Sequence, residues 1–170
     1  MNIYRSFKCI FLVLVISGCA ANITEVVHNP INQKEKPLQN AVYLDVTHAE
    51  SISKSKDLIN SMGELELLIS KKLNVVKNKP VLGLAVNISI ENFRYVSGFG
   101  RFMAGVMVGD AELKLNVEII DLSSGNVIGK SVLDTQSEFS EGIFGATTSR
   151  QLEAMAVKVT EYIKSSEKSS

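Results

Sequence analysis

The sequence contains no tryptophan, only three prolines and two cysteines, and equal numbers of acidic and basic residues, 18 of each. Without a basic excess there is no positive stripe of the kind that nucleic-acid binding requires, so we expect no nucleic-acid partner. Charged residues make up 21% and hydrophobic residues 45% of the 170 positions, which excludes wholesale disorder. This length and composition predict a single folded domain.

Residues 1–18 have the features of a signal peptide rather than of a domain. Arg5 and Lys8 give a positive start, Cys9 to Ile16 is an unbroken apolar run, and Ser17 and Gly18 are small residues suited to cleavage. The apolar run is about half as long as a helix that spans a bilayer, so a transmembrane anchor is the weaker interpretation.

The four residues Ile16-Ser17-Gly18-Cys19 resemble the lipobox of bacterial lipoproteins. That resemblance implies that Cys19 is acylated and becomes the mature N-terminus, so that two or three acyl chains hold the protein on a membrane. Ala20 follows the cysteine in place of Asp, which in enterobacterial-type lipoproteins implies the outer membrane, with the domain facing the periplasm. The alternative is an ordinary secretory signal with a coincidental cysteine. With Cys9 removed and Cys19 acylated, the domain has no disulfide.

The remaining chain divides by composition. Residues 19–40 are polar, lack periodicity and contain Pro30 and Pro37, so we expect a lipidated N-terminus followed by a flexible tether. Residues 41–165 are expected to form one domain, and residues 166–170 a disordered tail.

Apolar spacing within the domain predicts the order strand, helix, three strands, helix. Ser53 or Ser55 is the expected N-cap of the first helix, and Gly63 indicates close packing of that helix against a strand. A change of phase predicts a bulge near residues 91–92. Residues 123–126 predict the turn of an antiparallel hairpin. The apolar face of the first helix is predicted to be Leu58, Ile59, Met62, Leu65, Ile69 and Leu73, and that of the last helix Leu152, Met155, Ala156, Val159 and Ile163.

Thr148 and Gln151 are spaced as a capping box at the start of the last helix. Together the elements predict an α+β fold, a two-layer sandwich in which two helices cover one face of a mixed sheet of about four strands (β-α-β-β-β-α).

The stretch from Phe93 to Lys164 resembles an uncharacterised family of Gram-negative lipoproteins, domain of unknown function 4410. An aromatic and Arg-containing strand leads into a Gly-rich segment, followed by a strand that ends in Asp, a Ser-Gly turn, a second Gly-rich stretch and an amphipathic helix. The resemblance implies an envelope lipoprotein and brings no catalytic residue with it. The matching residues are Arg101, Gly105, Gly109, Asp121, Gly125, Gly142 and Gly145.

No catalytic, cofactor or metal motif is visible, so we expect no enzyme activity, no cofactor and no metal. Asp45 and His48 lie three residues apart, which directs them to opposite faces of a strand. Paired carboxylates are able to hydrolyse glycans, but Glu91, Glu112 and Glu118 are more simply explained as the solvated face of a sheet. An envelope hydrolase is therefore the least favoured alternative.

The Gly-rich segment 98–109 is the one stretch with an unusual composition. Its apolar residues either extend the flanking strands and are buried, or form an exposed patch that contacts a partner or a membrane. The candidate contact residues are Phe99, Arg101, Phe102, Met103, Val106 and Met107.

The sequence as a whole predicts a non-catalytic outer-membrane lipoprotein whose domain binds another envelope protein. The alternative is an oligomeric or membrane-inserting component of secretion or assembly that acts through segment 98–109.

Overall fold

The computed structural model of this protein describes residues 22–29, 41–99, 103, 111–136 and 147–165. The expected signal peptide, the lipidation position Cys19 and the tail lie outside the described residues. In chain order the elements are β1 (Asn22–Asn29), β2 (Val42–His48), α1 (Lys56–Ser70), β3 (Val75–Val76), β4 (Leu84–Arg94), β5 (Glu112–Asp121), β6 (Val127–Gln136) and α2 (Thr148–Ser165).

The strands form one mixed sheet in the spatial order β1-β6-β5-β4-β2-β3. β2 runs parallel to β4 and to β3, whereas β4, β5, β6 and β1 pair with one another antiparallel. The α+β class, the mixed sheet and the two helices agree with the sequence-based prediction.

The predicted number of about four strands is too low, because the described residues form six. β1 lies within the stretch expected to be a flexible tether, and it pairs with β6 from Asn22 opposite Gln136 onward. β3 consists of two residues beside β2. β1 supplies hydrogen-bond partners to the backbone groups along one side of β6 and becomes the edge strand of the sheet. The tether interpretation is therefore wrong for residues 22–29.

Strand alternation creates one fully buried sheet face. Along β5, Leu113, Leu115, Val117 and Ile119 are completely inaccessible, whereas their neighbours in sequence are half-buried. The register shift between Ile90 and Asn92 confirms the predicted bulge. It keeps Phe93 on the same core-facing side of the sheet as Ile90. The β5–β6 hairpin is also present as predicted.

Both helices contact each other and share a single core with this face. α1 begins after the N-cap Ser55, whose hydroxyl accepts a hydrogen bond from the Leu58 backbone N–H at 3.1 Å. Ile59 was expected in the apolar face but is exposed, because it lies one position round the helix from the buried Leu58. A Cβ placed on Gly63 would meet nothing within 4 Å, so the expected close packing there is wrong.

The α2 stripe is buried as predicted, and Tyr162 adds to it. Burial raises the pKa of Tyr162 to about 12, and the Glu25 carboxylate on β1 adds to the rise while a backbone hydrogen bond from Lys130 opposes it. α2 lies over β5 and β6. Within the described part of the chain, neither helix combines the length and the apolar character needed to cross a bilayer.

Candidate functional site

The candidate contact residues lie in the connection between β4 and β5. Of the six predicted, Phe99 and Met103 are described, and they are 75% and 66% exposed. Arg101, Phe102, Val106 and Met107 lie outside the described residues. These two residues therefore lie on the surface. They are not buried beneath the helices, which was the other possibility.

The N-terminal turn of α2 holds both ends of this connection. The Thr148 hydroxyl accepts a hydrogen bond from the buried Val96 backbone N–H at 2.9 Å, and the Thr148 backbone N–H donates to the Val96 carbonyl at 3.2 Å. Gln151, which is fully buried, donates its side-chain amide to the Ala111 carbonyl at 2.9 Å. A Cβ on Gly98 would lie 3.9 Å from the Thr147 side chain.

The predicted capping box between Thr148 and Gln151 is therefore wrong. Both side chains reach across to the β4–β5 connection instead of to each other's backbone. The same side chains that predict a local cap thus hold Val96 and Ala111, the residues on either side of segment 98–109.

Aromatic residues continue from the end of β4 toward this segment. The Phe93 and Tyr95 rings lie 6.5 Å apart between centroids with an interplanar angle of 37°. Phe93 is partly buried against the core, whereas Tyr95 is 45% exposed. We use the name "aromatic end" for the exposed residues Tyr95, Phe99 and Met103 together. Tyr95 is not among the contact residues predicted from the sequence, where only its place at the end of an alternating strand pointed to it.

The opposite sheet face carries charged residues that neutralise one another across strands. Lys130 Nζ lies 2.6 Å from Glu118 Oε1, Lys114 Nζ lies 3.9 Å from Asp134 Oδ2, and Arg94 lies 3.5 Å from Glu112. Such partly exposed cross-strand pairs each contribute up to about 1 kcal/mol. They give the face a balanced polar surface.

Two of the candidate carboxylates do not form a catalytic pair. Glu112 and Glu118 are six residues apart on the single strand β5, which separates them by about 20 Å. Glycosidases hold their two carboxyl groups roughly 5 to 9.5 Å apart. Glu112 also accepts a hydrogen bond from the Asn92 amide at 2.8 Å, and Glu118 is paired with Lys130. Glu91, the third candidate, is an exposed residue at the β4 bulge.

The described residues contain no group of three or more side chains suited to hold a metal ion. Asp45 and His48 lie on opposite sheet faces as predicted, since His48 pairs with Ile90 on the core side and Asp45 pairs with Asn87 on the other. His48 Nδ1 lies 3.0 Å from the Ala49 carbonyl oxygen.

The far end of the sheet is closed by the β5–β6 turn. The Ser123 hydroxyl and the Ser123 backbone N–H donate to the Asp121 carboxylate at 2.7 and 2.9 Å, and they lower the pKa of Asp121. The Ser124 hydroxyl donates at 2.9 Å and also lowers it, while burial opposes the shift. This carboxylate orders a turn.

Comparison with known proteins identifies the family. Residues 25–139 match the family described as Domain of unknown function (DUF4410). The chain belongs to this family. The DUF4410 match begins within β1 and ends before α2, so it includes the first helix and the strands, whereas Gly142, Gly145 and the last helix lie beyond it. No curated protein matches the chain.

Solved structures with a similar fold share little sequence with this DUF4410 chain. PelC from Paraburkholderia phytofirmans, described as a dodecamer, has a TM-score of 0.51 at 11% identity over 84% of this chain and 96% of its own. The hypothetical protein CT253 from Chlamydia trachomatis has a TM-score of 0.48 at 10% identity over 75% of this chain and 99% of its own. The likeness to PelC concerns the fold alone.

Proposed function

We propose that this chain is an outer-membrane-anchored lipoprotein whose small α+β domain is non-catalytic, faces the periplasm and binds another envelope component. The observation that carries the proposal is the run Ile16-Ser17-Gly18-Cys19, which directly follows a positively charged start and an apolar stretch. Two or more acyl chains on Cys19 hold a protein on a membrane whatever the character of its folded surface.

Replacement of the acylated sulfur tests the anchor. In a Gram-negative host, the Cys19→Ser chain is expected to leave the sedimented membrane fraction, and the mass of its N-terminal peptide to lack acyl groups. Cys9→Ser is the matched control, because Cys9 lies in the segment that the signal peptidase removes, and this variant is expected to stay in the membrane. A Cys19→Ser chain that sediments as completely as the control would overturn the proposal.

The choice of membrane has its own test. Ala20 occupies the position at which Asp retains enterobacterial-type lipoproteins on the inner membrane. On a density gradient we expect the unchanged chain in the outer-membrane fraction and the Ala20→Asp chain in the inner-membrane fraction. An unchanged chain found in the inner membrane contradicts the proposed location while leaving acylation intact.

The non-catalytic part of the proposal is supported by the roughly 20 Å between Glu112 and Glu118 and by the engagement of each in a cross-strand contact. We expect no soluble fragments when the purified chain is incubated with envelope glycans. Fragment release that disappears in the Glu112→Gln, Glu118→Gln double variant would favour the hydrolase instead.

The partner is to be sought from native membranes. The acylated chain, crosslinked in intact cells and purified, is expected to retain one envelope protein at a constant ratio, and the Cys19→Ser chain to retain less of it. Recovery of the chain with no retained component at all would contradict the binding function.

A second candidate function is an oligomeric assembly component that uses segment 98–109. It is favoured by the exposure of Phe99 and Met103 and by the shared fold with PelC, whose structure is described as a dodecamer. The mass of the detergent-extracted chain decides: an oligomer that a Phe99→Ser, Met103→Ser variant dissociates supports this candidate, and a strict monomer eliminates it.

A further inference from the structure

The ends of four strands form one row at the end of the sheet from which segment 98–109 leaves. Asn22 at the start of β1 pairs with Gln136 at the end of β6, which pairs with Glu112 at the start of β5, which pairs with Arg94 at the end of β4. At about 4.8 Å between neighbouring strands the row is about 14 Å long.

The expected lipid attachment lies close to this row in the chain. Cys19 precedes Asn22 by three residues, and three extended residues span at most about 10 Å. Because β1 belongs to the sheet, the distance from anchor to domain is set by these three residues and not by a tether of twenty. On the proposed function, acyl chains on Cys19 bring the Asn22 end of the sheet against the bilayer.

The aromatic end belongs to the same end of the domain. Tyr95 directly follows Arg94, and Phe99 follows Gly98, which sits beside the first turn of α2. Phe99 and Met103 are among the most exposed large apolar residues of the described chain. Tyr, with an apolar ring and a polar hydroxyl, suits the boundary between lipid and water.

We propose that the aromatic end lies in the headgroup region of the anchoring membrane. The sheet then extends from the bilayer surface along the axes of its strands. This inference rests on the proposed function, since acylation of Cys19 supplies the attachment. A lipid surface is favoured over a second copy of the chain because the short link from Cys19 to β1 constrains this end toward lipid and nothing comparable constrains it toward another copy. Arg94 and Glu112 at the row are paired with each other, so we expect apolar contact rather than headgroup charge to hold this end on the membrane.

The orientation also places the opposite end of the sheet. β4 has 11 residues, so its start lies about 33 Å from its end. Val81 and Leu82, just before β4, are 86% and 65% exposed. They therefore point into the periplasm, away from the lipid.

Site-specific fluorescence tests the orientation. After removal of Cys9 and acylation of Cys19, an introduced cysteine is the only free thiol of the mature chain. Met103→Cys and the control Val81→Cys, each acylated, carry an environment-sensitive fluorophore and are reconstituted in phosphatidylethanolamine–phosphatidylglycerol vesicles that contain nitroxide-labelled lipid. We expect loss of most of the fluorescence at position 103, little loss at position 81, and the same pattern in phosphatidylcholine vesicles.

The outcomes separate the two proposals. If mass spectrometry finds Cys19 acylated but positions 103 and 81 are quenched equally, the orientation is overturned and the anchored lipoprotein stands. If position 103 is shielded from lipid nitroxide and from soluble iodide alike, a second copy or another protein covers it, which also overturns the orientation. If Cys19 carries no acyl group, the proposed function itself fails.

Discussion

The hydroxyl of Thr148 is expected to contribute measurably to stability because it accepts a hydrogen bond from a buried backbone N–H, that of Val96. Val96 and Thr148 are each 2% exposed, and the Val96 N–H donates to the Thr148 hydroxyl at 2.9 Å. Thr148→Val keeps the shape of the side chain and leaves that N–H buried without an acceptor. An unsatisfied buried group of this kind costs about 1 to 3 kcal/mol. For a chain of this size that corresponds to a fall in Tm of roughly 3 to 10 °C.

The same substitution elsewhere on α2 provides the control. Thr160 is also buried, but its hydroxyl donates at 2.6 Å to the Ala156 carbonyl, which already accepts a helical hydrogen bond from the Thr160 backbone N–H. Thr160→Val is therefore expected to change stability by less than about 0.5 kcal/mol. Urea unfolding of the non-acylated chain measures both, and hydrogen exchange at the Val96 amide, expected to accelerate only in Thr148→Val, reports the local effect. Equal losses in the two variants would refute the reasoning.

Three further predictions concern the core, the glycines and pH. Leu115→Ala removes a fully buried side chain at the centre of the sheet and is expected to cost about 2 to 5 kcal/mol in urea unfolding, whereas Leu67→Ala on the exposed side of α1 is expected to cost less than about 0.5 kcal/mol. Gly83→Ala is expected to lower Tm, because the φ there is +121° and the new Cβ would lie 2.5 Å from the Ala41 carbonyl oxygen. Gly63→Ala is expected to raise Tm, because the site is open and helical, and the free energy of unfolding is expected to rise by up to about 1 kcal/mol. The pKa of Asp121 is lowered in the folded chain, so its carboxylate stabilises the fold at any pH above 3.8, the ordinary pKa of the group. That contribution is lost as the pH falls through the pKa of the folded chain. Asp121→Asn is therefore expected to be less stable than the unchanged chain at pH 7 and to lose less on acidification, and parallel urea midpoints against pH for the two chains would contradict this.

The elements predicted correctly are those in which burial is complete on one side. β5 alternates without interruption, and the α2 stripe repeats at helical spacing, because each presents one face to the same core. The bulge was predictable for the same reason, since it restores the buried phase between Ile90 and Phe93.

The two strands that sequence analysis missed are stabilised in ways that side-chain patterns do not show. β3 has two residues, too few for any period to appear. β1 places Ile23 against the core, but Glu25 occupies the next position on that face and is exposed, while Val26 on the other face is also exposed. Its pairing with β6 rests on backbone hydrogen bonds, which any sequence supplies.

The misread capping box has a related cause. Thr148 and Gln151 have the spacing of a local cap, but their partners Val96 and Ala111 are 52 and 40 residues away in the chain. A local motif predicts only hydrogen bonds between its own residues. Here both side chains form hydrogen bonds with residues that are distant in the chain. Phe99 lies between these two contacts in the chain and is exposed, an outcome that composition alone did not decide, since it left both a buried and an exposed segment open.

Because β1 is part of the sheet, the N-terminal end of the domain has a fixed position relative to the exposed surface residues. A free tether would let the domain sample any orientation above a membrane, and the position of an exposed apolar patch would then carry no information. An edge strand that begins three residues after Cys19 removes most of that freedom. The family match begins at Glu25, so residues 25–29 of this strand lie within the matched region. The direction of β1, antiparallel to β6, therefore decides which end of the domain meets whatever holds residue 19.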